Sequence, residues 1–165
     1  MPITILRPFN TFGPRQSGRA IIPSILIQVL SNKKYIELGN LTPTRDFNYI
    51  DDTTEAFFKT IKSKSNLNGK LFNICSNYEI SILRICELIK NITKKEFKIK
   101  QKKLRIRSQS TEVQRLFGDN RKIIQSLNWK PNYAREKGFI KGLKKTISWF
   151  EKNENLSKYK KIYNL

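Results

Sequence analysis

The side chains best suited to chemistry are a few arginines, one asparagine and one glutamate spread along the chain. A guanidinium fork makes paired, charge-assisted hydrogen bonds to phosphate oxygens in a geometry that a lysine ammonium cannot match. Arg45 and Arg107 are therefore candidates for holding a phosphorylated ligand. Asn10 offers both a donor and an acceptor, which suits a phosphate oxygen or a sugar hydroxyl, and Glu112 can accept from hydroxyls. Arg15 and Arg19 flank the loop after Asn10 and add positive potential, and Arg19 is kept among the ligand-binding candidates. Each has a plain alternative: Asn10 as a turn residue, Arg45 as an ion-pair partner of Asp46 or Asp51, and Glu112 as a surface acid.

Other combinations look chemical but have simpler explanations. Asp51-Asp52 falls between a strand and a helix, where acids cap a helix N-terminus. Tyr133 and Lys137, four residues apart, follow Trp129-Lys130-Pro131 in the connection to the last helix, and their proximity is a coincidence in a lysine-rich chain. Tyr159 and Tyr163 have no acid or base within sequence reach. The chain has no histidine and only two cysteines, Cys75 and Cys86. Histidine catalysis and a transition-metal site of the usual kind are thereby excluded. No catalytic residue and no metal ligand are assigned.

The elements that must position these groups fit one domain: 165 residues, 38% hydrophobic, suffice for a real core. No apolar run approaches the roughly 18 to 20 residues that span a bilayer, and Met1-Pro2-Ile3-Thr4 has no basic leader, so a cytoplasmic protein without a membrane partner is expected. The net charge of +20 raises nucleic-acid binding as an alternative. Nine of the eighteen residues from Lys90 to Arg107 are basic, but lysine recurs singly almost everywhere and Ile and Asn are enriched too, which points to coding bias rather than one basic face.

Hydrophobic periodicity gives an α/β reading. Ile3-Thr4-Ile5-Leu6 reads as a buried parallel strand, which needs neighbours that nothing before it supplies, so an upstream part is expected. Arg19 to Leu30 is an amphipathic helix with Pro23 in its first turn, and Tyr35 to Leu38 and Phe47 to Ile50 are strands. The helix after Asp51-Asp52 is expected to turn Phe57, Phe58 and Ile61 inward. Asn68-Gly69 turns the chain into a strand from Leu71 to Cys75. Ser81 starts a helix with Ile82, Ile85, Cys86 and Ile89 on one stripe, and both cysteines read as core residues. Phe97 to Ile106 reads as an edge strand or extended stretch, Asp119 to Leu127 as a short helix, and Lys137 to Phe150 as a last helix. The domain spans 1–152, and the basic tail 153–165 is expected to be frayed or weakly helical.

Three segments in fixed order resemble extended short-chain dehydrogenase/reductases acting on nucleotide sugars. The first is Arg7-Pro8-Phe9-Asn10-Thr11-Phe12-Gly13-Pro14-Arg15-Gln16 with Arg19-Ala20 and Pro23; the second is Gly39 with Thr44-Arg45-Asp46-Phe47-Asn48-Tyr49-Ile50-Asp51-Asp52. The third runs from Arg107 and Glu112-Val113 through Arg115-Leu116, Asp119 and Leu127-Asn128-Trp129-Lys130-Pro131 to Gly142-Leu143, Thr146-Ile147 and Trp149-Phe150. The resemblance covers residues 3 to about 152 and looks most like bacterial 4,6-dehydratases of legionaminic-acid-type sugar synthesis. It implies the last sheet strands of an extended Rossmann-type domain plus a small α/β substrate-binding domain. It further implies that Asn10 reaches the substrate, that Arg45 and Arg107 hold its diphosphate with Glu112 at the ribose, and that Phe9 lies near the nicotinamide of NAD. Ser76 and Asn77 fall where family members line the base or sugar.

The family's Gly-rich cofactor turn and its catalytic Tyr-x-x-x-Lys, both expected upstream of Arg7-Pro8, have no counterpart in this sequence. The expectation is the substrate-binding portion of a nucleotide-sugar 4,6-dehydratase, inactive alone, with a 4-epimerase or decarboxylase of the same superfamily and a non-catalytic nucleotide- or nucleic-acid-binding module as alternatives. Its expected partners are a nucleotide diphosphate sugar and a separately encoded N-terminal half, with dimerisation reserved for the complete enzyme.

Overall fold

The computed structural model describes residues 2–105 and 111–159. Arg107 and Ile106 lie outside the described residues, as does the tail beyond Tyr159. The described residues fold as mixed α/β with three small sheets. Strand β1 (Ile5–Pro8) pairs in parallel with β5 (Leu71–Ile74). The second sheet centres on β4 (Thr44–Tyr49), flanked by β2 (Asn10–Phe12) in parallel, with β6 (Glu79–Ser81) antiparallel and β8 (Arg115–Leu116) parallel to its first residues. The third pairs β3 (Tyr35–Leu38) in parallel with β7 (Lys98–Gln101). Among the described residues no helix is long and apolar enough to cross a membrane.

Helices α1 (Ile21–Leu30), α3 (Ile82–Thr93) and α5 (Arg135–Glu151) enclose the larger core. Each buries its expected stripe: Ile22, Ile25, Leu26 and Val29 in α1, Ile82, Ile85, Cys86 and Ile89 in α3, and Phe139, Leu143, Ile147 and Phe150 in α5. Ser81 caps α3, its hydroxyl accepting from the Arg84 amide at 3.1 Å. Phe12 fastens the middle sheet to α5, its ring meeting Phe47, Tyr49 and Phe139 at centroid distances of 6.2, 5.4 and 5.1 Å.

A smaller core lies on the β1–β5 sheet. Ala56 of α2 (Ile50–Lys62) packs there with Leu6, Phe72, Ile74, Trp129 and Ile123 of α4 (Arg121–Leu127). Two expectations fail in this region. Phe57, Phe58 and Ile61 are 42, 61 and 80% exposed, because α2 presents Asp52, Thr53 and Ala56 inward instead. Ile3 and Ile5 are also about half exposed, because β5 is the only strand that pairs β1 among the described residues.

The acids Asp51 and Asp52 do sit in the first turn of α2, where the helix dipole favours them, but no side chain caps its N-terminus. The buried Asp52 carboxylate accepts instead from the amides of Asn132 and Tyr133, at 2.8 and 2.9 Å, while its carbonyl accepts from the Trp129 indole at 3.0 Å. Acid and indole together tie the Trp129–Tyr133 connection to α2. The segment read as one strand from Phe97 stops at Gln101 and becomes a 3-10 turn, Lys103–Arg105. The tail forms α6 (Asn153–Leu156), with Asn155 buried and Tyr159 packed at a tilt against Phe150.

Candidate functional site

Side-chain alternation along β4 builds the site. Residues at i and i+2 share a face of a strand, and Arg45 and Phe47 line a pocket of about 710 Å³. Asp46, on the opposite face, joins β4 to the smaller sheet: Oδ1 accepts from the Ser76 amide and hydroxyl at 2.8 and 2.6 Å, and Oδ2 from the amides of Asn77 and Gly118 at 3.1 and 3.3 Å. Burial pushes this carboxyl above the usual range, although all four hydrogen bonds pull the other way. Asp46 thus holds β4 in place while Arg45 faces the ligand space. Asn48, on Asp46's face, donates to Thr53 at 2.8 Å.

Asn10, Arg19, Arg45 and Glu112 all line this one pocket. The Arg45 guanidinium donates to Glu112 at 3.1 Å and to the Thr44 carbonyl at 2.9 Å. Neither Asp46 nor Asp51 is its partner. Asn10 pairs with Phe47 in register, and its amide makes a long 3.4 Å contact to the Asp46 carbonyl. Arg19 precedes α1 and is exposed. Arg15, with a φ of 65°, is exposed and does not line the pocket, and neither do Ser76 and Asn77, which serve Asp46.

Several pocket residues were not foreseen: Thr11, Gln16, Ser24, Leu38, Leu104 and Arg105. Arg105 is bonded to the Glu37 carbonyl and lies 3.8 Å from the Glu37 carboxylate. The turn carrying it presses against Gly39, where a Cβ would stand 2.2 Å from the Arg105 carbonyl oxygen. Gly39 is required there because any side chain would push this wall away. The motif around Gly39 was the only sequence signal of that contact. With Arg19, Arg45 and Arg105 against Glu112, the lining carries a net positive charge suited to an anion with several hydrogen-bonding groups.

The model of the GDP-mannose 4,6 dehydratase family matches residues 1–141. The chain belongs to that family. It is therefore an extended short-chain dehydrogenase/reductase sequence. Human dTDP-D-glucose 4,6-dehydratase is 30% identical over 155 residues, covering 92% of this chain and 42% of the human protein. The UDP-N-acetyl-alpha-D-glucosaminuronate decarboxylase of Bacillus cytotoxicus is 30% identical over 164 residues, covering 94% of this chain and 48% of that protein. The crystal structure of UDP-glucuronic acid 4-epimerase from Bacillus cereus, in complex with UDP-glucuronic acid and NAD, superposes with a TM-score of 0.80 at 28% identity, over 92% of this chain and 46% of the epimerase. The dehydratase-family chain thus spans somewhat less than half the length of these relatives.

Within this dehydratase-family fold, Phe9 follows the carboxyl end of β1. Its amide donates to the Ile74 carbonyl at 2.9 Å, and its ring lies so close to Gly118 that a Cβ there would stand 3.0 Å from Cε1. The Tyr133 hydroxyl, by contrast, belongs to a surface brace. It donates to Asp51 at 3.2 Å and accepts from Lys145 at 2.5 Å, holding that ammonium at about 12, while Lys137 is exposed. Cys75 and Cys86 are buried free thiols, each pushed up to about 12 by burial, which makes them core residues rather than nucleophiles.

Proposed function

We propose that this chain is the substrate-binding part of an NAD-dependent nucleotide-sugar 4,6-dehydratase and binds a nucleoside diphosphate sugar in the cytoplasm. The observation that carries the reading is the pairing of Arg45 with Glu112 in a pocket that also holds Asn10, Arg19 and Arg105. A nucleoside diphosphate sugar offers phosphate oxygens to Arg45 and Arg19, ribose hydroxyls to the Glu112 carboxylate, and a phosphate or sugar group to Asn10. Arg107, a few residues before Glu112 in the chain, is assigned to the same diphosphate. A basic patch that merely attracted nucleic acid would not need a half-buried acid among its arginines.

NAD, when bound, accepts and returns a hydride. Phe9 fits its nicotinamide, since it stands outside the carboxyl ends of two parallel strands, where open α/β sheets take their ligands. The proton-transferring residues and the rest of the cofactor site are assigned to a complementary dinucleotide-binding half, on the same polypeptide or a separate one. Two observations support this: β1 pairs on one side alone among the described residues, although a parallel strand is ordinarily buried, and Ile3, Ile5 and the α2 residues Phe57, Phe58 and Ile61 leave apolar surface exposed. Without that half the chain binds but does not turn over, and dimerisation belongs to the complete enzyme.

A second reading, a 4-epimerase or decarboxylase, is favoured by the epimerase and decarboxylase relatives. To test both, the chain is mixed with dTDP-glucose, GDP-mannose or UDP-glucuronic acid, with and without a polypeptide supplying the Gly-rich turn and the Tyr-x-x-x-Lys helix. Binding by the chain alone, with a 4-keto-6-deoxy product only in the mixture, supports the dehydratase. A C4 epimer or loss of carbon dioxide would select the second reading, and absence of binding would remove both.

A further inference from the structure

Gln16 lines the pocket and is held from two directions. Its side-chain amide donates to the Thr11 carbonyl at 2.6 Å, and its own carbonyl accepts from the Tyr159 hydroxyl at 3.0 Å. Tyr159 is itself anchored, with its ring 5.1 Å from Phe150 and 6.2 Å from Trp149. It also backs the loop at Gly18, where a Cβ would stand 3.2 Å from Tyr159 Cδ1 and 3.1 Å from Ile27 Cδ1. The chain after α6 therefore acts as a strap that fixes the Gln16 wall.

One atom of this arrangement is unused. Gln16 Oε1 is buried and has no hydrogen-bond partner among the described residues. Exchanging the amide oxygen and nitrogen does not resolve this, because it would set two acceptors 2.6 Å apart at Thr11. A buried acceptor left unpaired is costly, so its persistence beside a ligand pocket calls for a partner that arrives with the ligand.

We infer that Gln16 is a specificity-determining residue whose Oε1 accepts a hydrogen bond from a hydroxyl or amide N–H on the sugar of the bound nucleotide sugar, with Tyr159 as its positioning residue. This rests on the nucleotide-sugar reading of the pocket. An acceptor-only oxygen repels phosphate, so the diphosphate is not its partner. Gln16 stands with Asn10 and Thr11 on the wall that continues from the carboxyl end of β1, the end at which the reacting part of a ligand is met in open α/β sheets. That places the sugar rather than the ribose against it.

The test titrates the full chain, as wild type and as Gln16→Leu and Gln16→Met, with three pairs of probes: UDP and UDP-glucose, dTDP and dTDP-glucose, GDP and GDP-mannose. Both variants should bind the nucleoside diphosphates as the wild type does but lose roughly 3- to 10-fold for the tightest nucleotide sugar, the effect of one neutral hydrogen bond. Tyr159→Phe should move the sugar nucleotide in the same direction by less. A deoxy analogue lacking the matching hydroxyl should bind the wild type more weakly and both variants unchanged. Equal loss for nucleoside diphosphate and nucleotide sugar, or no loss at all, would overturn the assignment. A wild type that binds none of the six probes would instead overturn the nucleotide-sugar reading and this inference with it.

Discussion

The Arg45 guanidinium and the Glu112 carboxylate meet at 3.1 Å with only 17 and 10% of their side chains exposed, although 67 positions separate them in sequence. A pair this sheltered holds a cation and an acceptor in fixed relation. Arg45→Lys should therefore behave almost as badly as Arg45→Ala in nucleotide-sugar binding, since an ammonium cannot reach Glu112, the Thr44 carbonyl and a phosphate in one plane. A lysine variant with wild-type affinity would show that only charge matters.

Glu112→Gln should separate two roles of that carboxylate. The neutral amide accepts from a ribose hydroxyl less strongly than the carboxylate and no longer neutralises Arg45, so affinity for inorganic pyrophosphate should rise or hold while the advantage of a nucleoside diphosphate over pyrophosphate shrinks several-fold. Removing one partner of a sheltered pair also leaves the other charge uncompensated, and the variant should lose about 1–3 kcal/mol of stability in urea titration.

Gly39→Ala should damage the pocket without touching a ligand. A methyl group 2.2 Å from the Arg105 carbonyl oxygen forces the turn carrying Arg105 and Leu104 outward. Ligand affinity should fall while the circular dichroism spectrum stays unchanged. Wild-type affinity in this variant would mean that the Arg105 wall contributes nothing.

Asp46→Asn should cost about 2–4 kcal/mol, because the amides of Asn77 and Gly118 would then face a donor instead of an acceptor. The pH dependence has a definite sign. Burial raises the folded-state pKa of Asp46, so the folded chain holds this proton more tightly than the unfolded chain. Stability from this source is full below the unfolded value of roughly 3.9 and is lost as pH rises through the raised folded value. The melting-temperature difference between wild type and Asp46→Asn should widen on acidification within that window. A difference that narrows there would contradict the account.

Phe58→Lys and Ile61→Lys should leave stability within about 0.5 kcal/mol of wild type, as exposed positions do, and should raise the soluble concentration of the isolated chain. A large drop in melting temperature would restore the inward orientation expected from sequence.

The stripes of α1, α3 and α5 could be read in the sequence because their apolar residues repeat at helical spacing and do face a core. The inward face of α2 could not, because Asp52, Thr53 and Ala56 are buried there by hydrogen bonds and close packing, whereas its large apolar residues are exposed. At the site, the resemblance of their segments to the family, with residue types suited to phosphate and hydroxyl groups, marked Asn10, Arg19, Arg45 and Glu112 as candidates, and the fold gathers them. The Arg45–Glu112 pairing and the Arg105 wall arise from contacts between distant segments, which periodicity does not encode.

The most direct measurement of the central claim is calorimetric titration of the 165-residue chain with UDP-glucuronic acid, dTDP-glucose and GDP-mannose, as wild type and as Arg45→Ala. The account predicts saturable one-to-one binding of at least one nucleotide sugar by the wild type and a loss of tenfold or more, about 1.4 kcal/mol, in Arg45→Ala. Equal affinity in the two proteins would contradict it.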